Sequence, residues 1–183
     1  MTLVINFAAG PGAGKSTMAG ELFGYMKRRQ INCEYVQEFA KDIVWSKHWE
    51  NLDDQIHIFG EQFHRQYRLL DQVDYIITDS PLFLTRYYVR ESLKKFLSAN
   101  SFKDKVAELA IYAFNMFENK TFYVDRTGRR FLERGRVHNQ ERSQQIDESI
   151  KFLLKHHEIP YTTVVHFSDV LTELGDLKNV RPD

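Results

Sequence analysis

Short apolar runs alternate with stretches of helical periodicity along the chain. Runs of β-branched, aromatic and other apolar residues predict five strands, over residues 3–8, 33–37, 75–78, 121–124 and 161–165. Between them, apolar residues recur at helical spacing and predict helices over residues 15–30, 39–49, 53–72, 83–99, 102–118 and 139–157. Strands that alternate with helices form parallel βα units, so we predict an α/β protein whose sheet has helices on both faces.

Three of these helices carry apolar stripes, which predict the face that each helix buries. The stripes consist of Met18, Leu22 and Met26; of Ile56, Phe59, Phe63, Tyr67 and Leu70; and of Ile146, Ile150 and Leu153. Asn139 precedes the last of these helices and is its predicted N-cap. Beyond Ser168 the pattern predicts at most one short helix.

Length and composition narrow the class of protein. A chain of 183 residues fits one domain, and a hydrophobic content of 43% excludes a disordered chain. Basic and acidic side chains balance at 25 each, which argues against a surface coated with positive charge for long nucleic acid. No apolar run approaches the ~20 residues that span a bilayer, and the first residues lack the basic region of a signal peptide. Cys33 is the single cysteine, so we expect a cytoplasmic protein, in the host cytoplasm if its source is viral.

A glycine-rich segment lies between the first predicted strand and the first helix, and reads Ala9-Gly10-Pro11-Gly12-Ala13-Gly14-Lys15-Ser16-Thr17. It matches the P-loop pattern G-x-x-x-x-G-K-[ST] except at the first glycine, which is Ala9. Small residues let backbone N–H groups approach phosphate oxygens, and the helix N-terminus adds its dipole. We predict that residues 10–17 bind a nucleoside triphosphate, with Lys15 on the β- and γ-phosphates and Ser16 on Mg²⁺. The alternative is a tight structural turn with a chance lysine.

Two carboxylates follow predicted strands. Asp79 ends the strand over 75–78, and Glu38 follows the strand over 33–37. Ligands of parallel sheets gather at the carboxyl ends of strands, so Asp79 is the predicted second Mg²⁺ ligand and Glu38 the general base for an acceptor hydroxyl. The alternatives are a turn aspartate and a glutamate that satisfies the dipole of the next helix. Lys41 lies one turn after Glu38, where the two can pair beside the acceptor.

Basic residues concentrate between Lys120 and Arg142. This stretch holds seven basic and three acidic side chains, a net charge of +4 in an otherwise neutral protein. An arginine fork matches the oxygens of a transferring phosphoryl group, so we predict an arginine-rich lid over about residues 126–138. The arginines of this range are Arg126, Arg129, Arg130, Arg134 and Arg136. The alternative is a solvated helix face.

Candidate acceptor residues lie on two helices. Gln62 lies at the edge of the stripe over 53–72, where a buried amide could read the edge of a base. Tyr88 is one of several aromatic residues that could stack on a ring. The competing interpretations are boundary polarity for the glutamine and core packing for the aromatic residues.

Four segments together resemble P-loop kinases of the nucleoside and nucleotide kinase group, in particular ribosylnicotinamide-kinase-like AAA-type ATPases, small bacteriophage proteins included. The segments are Phe7–Thr17, Tyr35–Lys41, Thr78–Tyr88 and Tyr123–Glu141. The third segment is also similar to deoxyribonucleoside kinases, in which an acid ends the strand and an Arg-Tyr pair stands where this chain has Arg86-Tyr87. Those kinases carry arginine at the position of Ser80, and Arg86 is a candidate replacement.

The resemblance implies a three-layer P-loop fold with a five-stranded parallel sheet of order 2-3-1-4-5, in one kinase domain over residues 1–183. It implies that Glu38 is the base for the acceptor hydroxyl and that Gln62 reads the nucleobase. It also implies that Arg130, Arg134 and Arg136 are lid arginines.

Together, motifs and resemblance predict a kinase that uses ATP and Mg²⁺ and phosphorylates a hydroxyl of a nucleoside-like acceptor. The acceptor is either a free nucleoside or nucleotide, or 5-hydroxymethyluracil in phage DNA. The rival hypothesis is a nucleotide-hydrolysing ATPase or switch protein. No glutamate stands next to Asp79 to position a water, which favours the kinase. We expect no membrane contact, and a homodimer and a choice of ATP over GTP are left open.

Overall fold

The computed structural model of the chain describes residues 1–92, 100–128 and 139–175. The strands are β1 (Leu3–Ala8), β2 (Cys33–Val36), β3 (Tyr75–Thr78), β4 (Glu118–Val124) and β5 (Thr162–Val164). The α-helices are α1 (Lys15–Arg28), α2 (Ala40–Trp45), α3 (Gln55–Tyr67), α4 (Thr85–Ser92), α5 (Asn100–Asn115), α6 (Gln140–His156) and α7 (Phe167–Leu174). Two 3-10 turns cover Trp49–Asp53 and Leu82–Leu84.

The five strands form one parallel sheet in the order β2-β3-β1-β4-β5, which confirms the predicted order. β1 is central, because Leu3 pairs with Tyr75 of β3 on one side and with Glu118 of β4 on the other. Val4 to Ala8 are all buried, the polar Asn6 included, as expected for a strand covered on both faces. The carboxyl ends of β1, β2 and β3 meet at one edge of the sheet, where ligands of such sheets bind.

Two of the three predicted apolar stripes face the core. Met18, Leu22 and Met26 of α1 are buried, and so are Ile146, Ile150 and Leu153 of α6. Full burial of side chains of this size stabilises the fold by about 1.5–3 kcal/mol each. The predicted N-cap of α6 is also confirmed, since the Asn139 side chain accepts the backbone N–H of Arg142 at 2.9 Å.

The predicted stripe of α3 is wrong at two positions and misses three buried glutamines. Ile56 is 49% exposed and Tyr67 is 59% exposed. The buried face consists of Gln55, Phe59, Gln62 and Gln66. It faces polar groups as well as core, and Gln62 bonds a backbone N–H and a hydroxyl there. Amides can be buried at such a place because hydrogen bonds offset their loss of hydration.

Several element boundaries differ from the sequence pattern. The helix predicted over 39–49 is divided into α2 and the first 3-10 turn, and Lys47 between them has a left-handed backbone with φ of 61°. α3 begins after Asp54, whose side chain accepts the His57 N–H at 3.0 Å. The helix predicted over 83–99 is the second 3-10 turn followed by α4, and residues 93–99 lie outside the described residues. β4 begins earlier than predicted because Glu118 pairs beside Leu3.

In the described ranges, no helix combines the length and the apolar character needed to cross a membrane.

Candidate active site

The P-loop, residues 9–17, leads from the end of β1 into α1. Gly12 and Gly14 have φ of 82° and 97°, which is the left-handed region that favours glycine. Gly14 directly precedes α1, so the unpaired N–H groups of the first helical turn face the loop. Ala9 is fully buried and has no positive φ, so alanine at the first position of the motif causes no backbone strain.

Lys15 lies inside the P-loop. Its Nζ donates to the carbonyl oxygens of Ala9 at 2.9 Å and Gly10 at 3.2 Å. Burial lowers the pKa of Lys15, and the carboxylates of Glu38 and Asp79 oppose this shift. The ammonium is therefore held by backbone oxygens at the place where phosphate oxygens would enter the loop.

Asp79 is fully buried at the end of β3. Its Oδ1 accepts the Glu38 N–H at 3.0 Å, and its Oδ2 accepts from Nζ of Lys41 at 2.6 Å. The hydroxyls of Ser16 and Tyr35 also hydrogen-bond this carboxylate. Burial by itself would raise the pKa of Asp79, but the charge of Lys41 and these hydrogen bonds outweigh it, so the pKa is lowered. Asp79 is thus an ionised carboxylate beside the P-loop serine.

The fold brings together Ser16 and Asp79, the two predicted Mg²⁺ ligands. Hydroxyl and carboxylate oxygens are the hard donors that Mg²⁺ prefers. A cation of the protein lies against both, because Nζ of Lys41 is 2.5 Å from Ser16 Oγ and 2.6 Å from Asp79 Oδ2. Both the donor chemistry and this ammonium indicate that the pair fits Mg²⁺.

Glu38 follows β2 and is half-buried beside this cluster. Its backbone N–H is held by Asp79, and its Oε2 is 3.8 Å from Nζ of Lys41. The pairing of Glu38 with Lys41 that the sequence suggested is therefore present, but the closer contacts of Lys41 are with Ser16 and Asp79.

One cavity of about 490 Å³ is lined both by the P-loop and by residues of other elements, and its volume is in the usual range for small-molecule sites. Its lining includes the P-loop residues Gly12, Lys15 and Ser16. The apolar and aromatic side chains in the lining are Val44, Leu52, Ile58, Leu84 and Tyr88, and polar and charged ones such as Gln55, Glu91 and Arg142 also contribute. Glu38 and Lys41 also line the cavity. Lys41 contacts Ser16, and Val44 lies one turn further along α2, so Lys41 lies between the P-loop and this apolar side chain.

Gln62 lines the cavity, but its amide is engaged within the protein. Its Oε1 accepts the Phe39 N–H at 3.0 Å, and its Nε2 lies 3.4 Å from Thr78 Oγ1. Both bonds hold the residue after Glu38 against the end of β3. Gln62 therefore positions the backbone next to Glu38. To recognise a nucleobase, as predicted, its amide would have to break one of these two hydrogen bonds.

Two predicted acceptor residues on α4 lie on different sides of the helix. Tyr88 lines the cavity, and burial raises its pKa, so its hydroxyl stays protonated. Arg86 lies in a separate groove with Arg90, His156 and His157. Residues two apart on a helix point in different directions. The structure therefore does not bring Arg86 to the acceptor pocket.

Asp147 of α6 is a site residue that the sequence pattern did not single out. Its Oδ1 accepts the Gly10 N–H at 2.6 Å, and its Oδ2 accepts from Arg126 Nε at 2.5 Å. Arg126 Nη2 also donates to the carbonyls of Ser143 at 3.2 Å and Pro11 at 3.4 Å. Arg126 thus lies beside the P-loop, as predicted, but its guanidinium is bound to Asp147. The available signal was an acidic residue on the buried face of an amphipathic helix.

Most of the predicted lid lies beyond the described ranges. Arg130, Arg134 and Arg136 all lie outside the described residues. The described start of this loop is a tight turn in which the N–H and hydroxyl of Thr127 donate to Asp125 Oδ1 at 2.8 and 2.6 Å. These two bonds lower the pKa of Asp125.

The arrangement defines a class of protein. The parallel sheet has this strand order, a P-loop follows its central strand β1, and a buried aspartate follows the neighbouring strand β3. These features define a P-loop nucleotide-binding fold. More specifically, the chain belongs to the AAA domain family, whose sequence model matches residues 4–169.

Two solved structures illustrate the similarity of the fold to known proteins. The NadR protein in complex with NR matches with a TM-score of 0.67 and 12% identity, over 100% of this chain and 53% of that one. Thymidylate kinase from Ehrlichia chaffeensis matches with a TM-score of 0.63 and 14% identity, over 95% of this chain and 99% of that one. At such identities the likeness establishes the fold, and the chain spans about half of the NadR chain. No curated protein matches the chain in sequence.

Proposed function

We propose that the chain is a kinase that uses ATP and Mg²⁺ to phosphorylate a hydroxyl of a nucleoside-like acceptor. The continuity of the cavity carries this proposal. Its P-loop residues suit a triphosphate, its other lining residues include apolar side chains and Tyr88, and Glu38 lines the same cavity. Hydrolysis needs only a water molecule beyond the γ-phosphate, whereas an apolar pocket suits a ring-bearing second reactant. The likeness of the fold to that of a thymidylate kinase supports the same proposal.

On the donor side, Lys15 and the N–H groups of residues 10–17 bind the β- and γ-phosphates. Ser16 and Asp79 hold Mg²⁺, which supplies charge neutralisation on the phosphate oxygens when bound. Arg126 supports the loop next to the nucleotide, and Arg130, Arg134 and Arg136 close over the transferring group. In this proposal the whole chain, residues 1–183, is one kinase domain with a lid over about 126–138.

On the acceptor side, Glu38 accepts the proton of the acceptor hydroxyl while the hydroxyl oxygen attacks the γ-phosphorus of ATP and ADP leaves. The Glu38 backbone is fixed by Asp79, and its carboxylate lies 3.8 Å from the ammonium of Lys41, so it is oriented beside the phosphate end of the cavity. Glu38→Gln removes the proton acceptor with little change in shape. We expect kcat to fall by about 10²–10⁴-fold with ATP affinity retained, as measured by steady-state kinetics and nucleotide titration. Unchanged turnover would exclude Glu38 as the base.

Two acceptors fit this chemistry. One is a free nucleoside or nucleotide, and the other is 5-hydroxymethyluracil in DNA, which offers a primary alcohol on a pyrimidine. The apolar lining suits the flat ring of either. A base in DNA has to be turned out of the duplex to reach a cavity of this kind. Phosphorylation of DNA would also depend strongly on salt.

The deciding experiment is ATP consumption by the purified chain with Mg²⁺ and a panel of acceptors. The panel contains nucleosides, nucleoside monophosphates, ribosylnicotinamide and DNA with 5-hydroxymethyluracil. Strong stimulation by one acceptor, lost in Lys15→Ala, is expected for a kinase and names its substrate class. Steady hydrolysis that no acceptor changes would refute the proposal and favour an ATPase or switch protein.

A further inference from the structure

Lys41 takes up the position between the two predicted metal ligands. Its Nζ contacts Ser16 Oγ at 2.5 Å and Asp79 Oδ2 at 2.6 Å, and lies 3.8 Å from Glu38 Oε2. The Asp79 side chain is fully buried, whereas that of Lys41 is 39% exposed toward the cavity. A buried carboxylate requires a partner, and here the partner is an ammonium on a flexible stem.

We propose that Lys41 is a positioning residue that serves as the internal counter-cation of Ser16 and Asp79, and that Mg²⁺ displaces it when the metal–nucleotide complex binds. The metal and the ammonium require the same two oxygens. Two cations that contact the same two oxygens repel each other strongly in a partly desolvated site, so the metal and the ammonium cannot both remain there. The inference rests on the metal assignment within the proposed function but not on any particular acceptor.

The displaced ammonium has a nearby destination. Lys41 lies in the first turn of α2, and Glu38 precedes that helix. A shift on the order of 1 Å changes the 3.8 Å separation from Glu38 into a hydrogen-bonded ion pair. Rotation of the exposed stem permits this movement without a change in the backbone. The positive charge then stays between the P-loop and the acceptor pocket, beside the phosphate to be transferred.

The exchange predicts how ATP affinity depends on metal. In EDTA, the ammonium of Lys41 partly replaces the metal and offsets the repulsion between Asp79 and the triphosphate. With Mg²⁺ present, Lys41 must first leave its two oxygens. Lys41→Gln removes the charge but retains an N–H donor for Asp79, so it preserves the fold better than an apolar substitution. We expect the ratio of the ATP Kd in EDTA to that in Mg²⁺ to rise about tenfold or more in this variant.

Isothermal titration of ATP into the wild-type chain and the variants measures this ratio without any turnover. Lys27→Gln is the matched control, because it also removes one lysine but acts on an exposed ion pair with Glu34 outside the cavity. We expect its ratio to equal that of the wild type. Thermal melting of each variant verifies that it is folded.

Other outcomes separate this inference from the proposed function. An unchanged ratio of the two Kd values in Lys41→Gln would overturn the exchange. This includes an equal loss of ATP affinity with and without metal, which is the result expected if Lys41 only contacts phosphate. The expected ratio with no acceptor phosphorylated would support the exchange while the kinase proposal fails. If ATP binds the folded wild type under neither condition, both are overturned.

Discussion

Gly10→Ala tests whether the P-loop is built against α6. A Cβ at this position would lie 2.5 Å from the Ser143 carbonyl oxygen, 2.8 Å from Asp147 Oδ1 and 3.2 Å from Arg126 Nη2. Gly10 has no positive φ, so the added methyl group acts through contact alone. The nearest atom belongs to the backbone of a helix and cannot rotate away, so the loop itself must shift.

The cost follows from these contacts. Overpacking of a dense site destabilises by about 1–3 kcal/mol. A shift of the loop also weakens the Gly10 N–H bond to Asp147, which is 2.6 Å long, for about 1 kcal/mol more. We expect Gly10→Ala to lose about 2–4 kcal/mol of unfolding free energy. Because the same shift moves the amides that face the phosphates, the ATP Kd should rise about tenfold.

The control for this prediction is Gly20→Ala on α1. A Cβ there meets no atom within 4 Å, and alanine favours a helix interior, so this variant should gain about 0.5–1 kcal/mol. Equilibrium urea unfolding measures both stabilities, and calorimetric titration measures ATP binding. Equal stability and equal ATP affinity for Gly10→Ala and the wild type would refute the idea that α6 supports the P-loop.

Two further predictions concern titratable side chains. Asp147→Ala leaves the Gly10 N–H and the Arg126 guanidinium without their carboxylate and should cost about 3 kcal/mol by urea unfolding. Asp147→Asn keeps an acceptor and should lose less. Unchanged stability in Asp147→Ala would exclude the role of this carboxylate. Burial, with the charges of Arg86 and His156, lowers the pKa of His157 below its ordinary 6.5, so the unfolded chain binds this proton more readily. Stability should therefore fall as the pH drops below about 6.5, and His157→Gln should flatten the pH dependence of unfolding between pH 7 and 5; parallel curves would contradict the shift.

The element types and the sheet could be predicted because local pattern carries them. β1 is apolar at every position except Asn6 and is the central strand, and the P-loop with its glycines can be identified in the sequence without any contact. The sheet order came from the resemblance to P-loop kinases, and it is confirmed. Asp79 and Glu38 could be selected as site candidates because parallel strands place their carboxyl ends at one edge.

The buried face of α3 shows where local pattern fails. Apolar spacing favoured Ile56 and Tyr67 as buried, yet both are exposed, and Gln55, Gln62 and Gln66 are inside. A glutamine can be buried only where partners such as the Phe39 N–H are available. Those partners come from other elements, so the spacing within the helix cannot reveal them.

What the sequence by itself determined is the local chemistry: a phosphate-binding loop, its lysine and serine, and carboxylates at strand ends. Only the tertiary structure decided which side chains meet, namely Lys41 with Ser16 and Asp79, and Asp147 with Gly10 and Arg126. It also placed Arg86 in a different groove from Tyr88. The physical reason is separation along the chain. Gly10 and Asp147 are 137 residues apart, and no local propensity encodes a contact made only when α6 packs beside the end of β1.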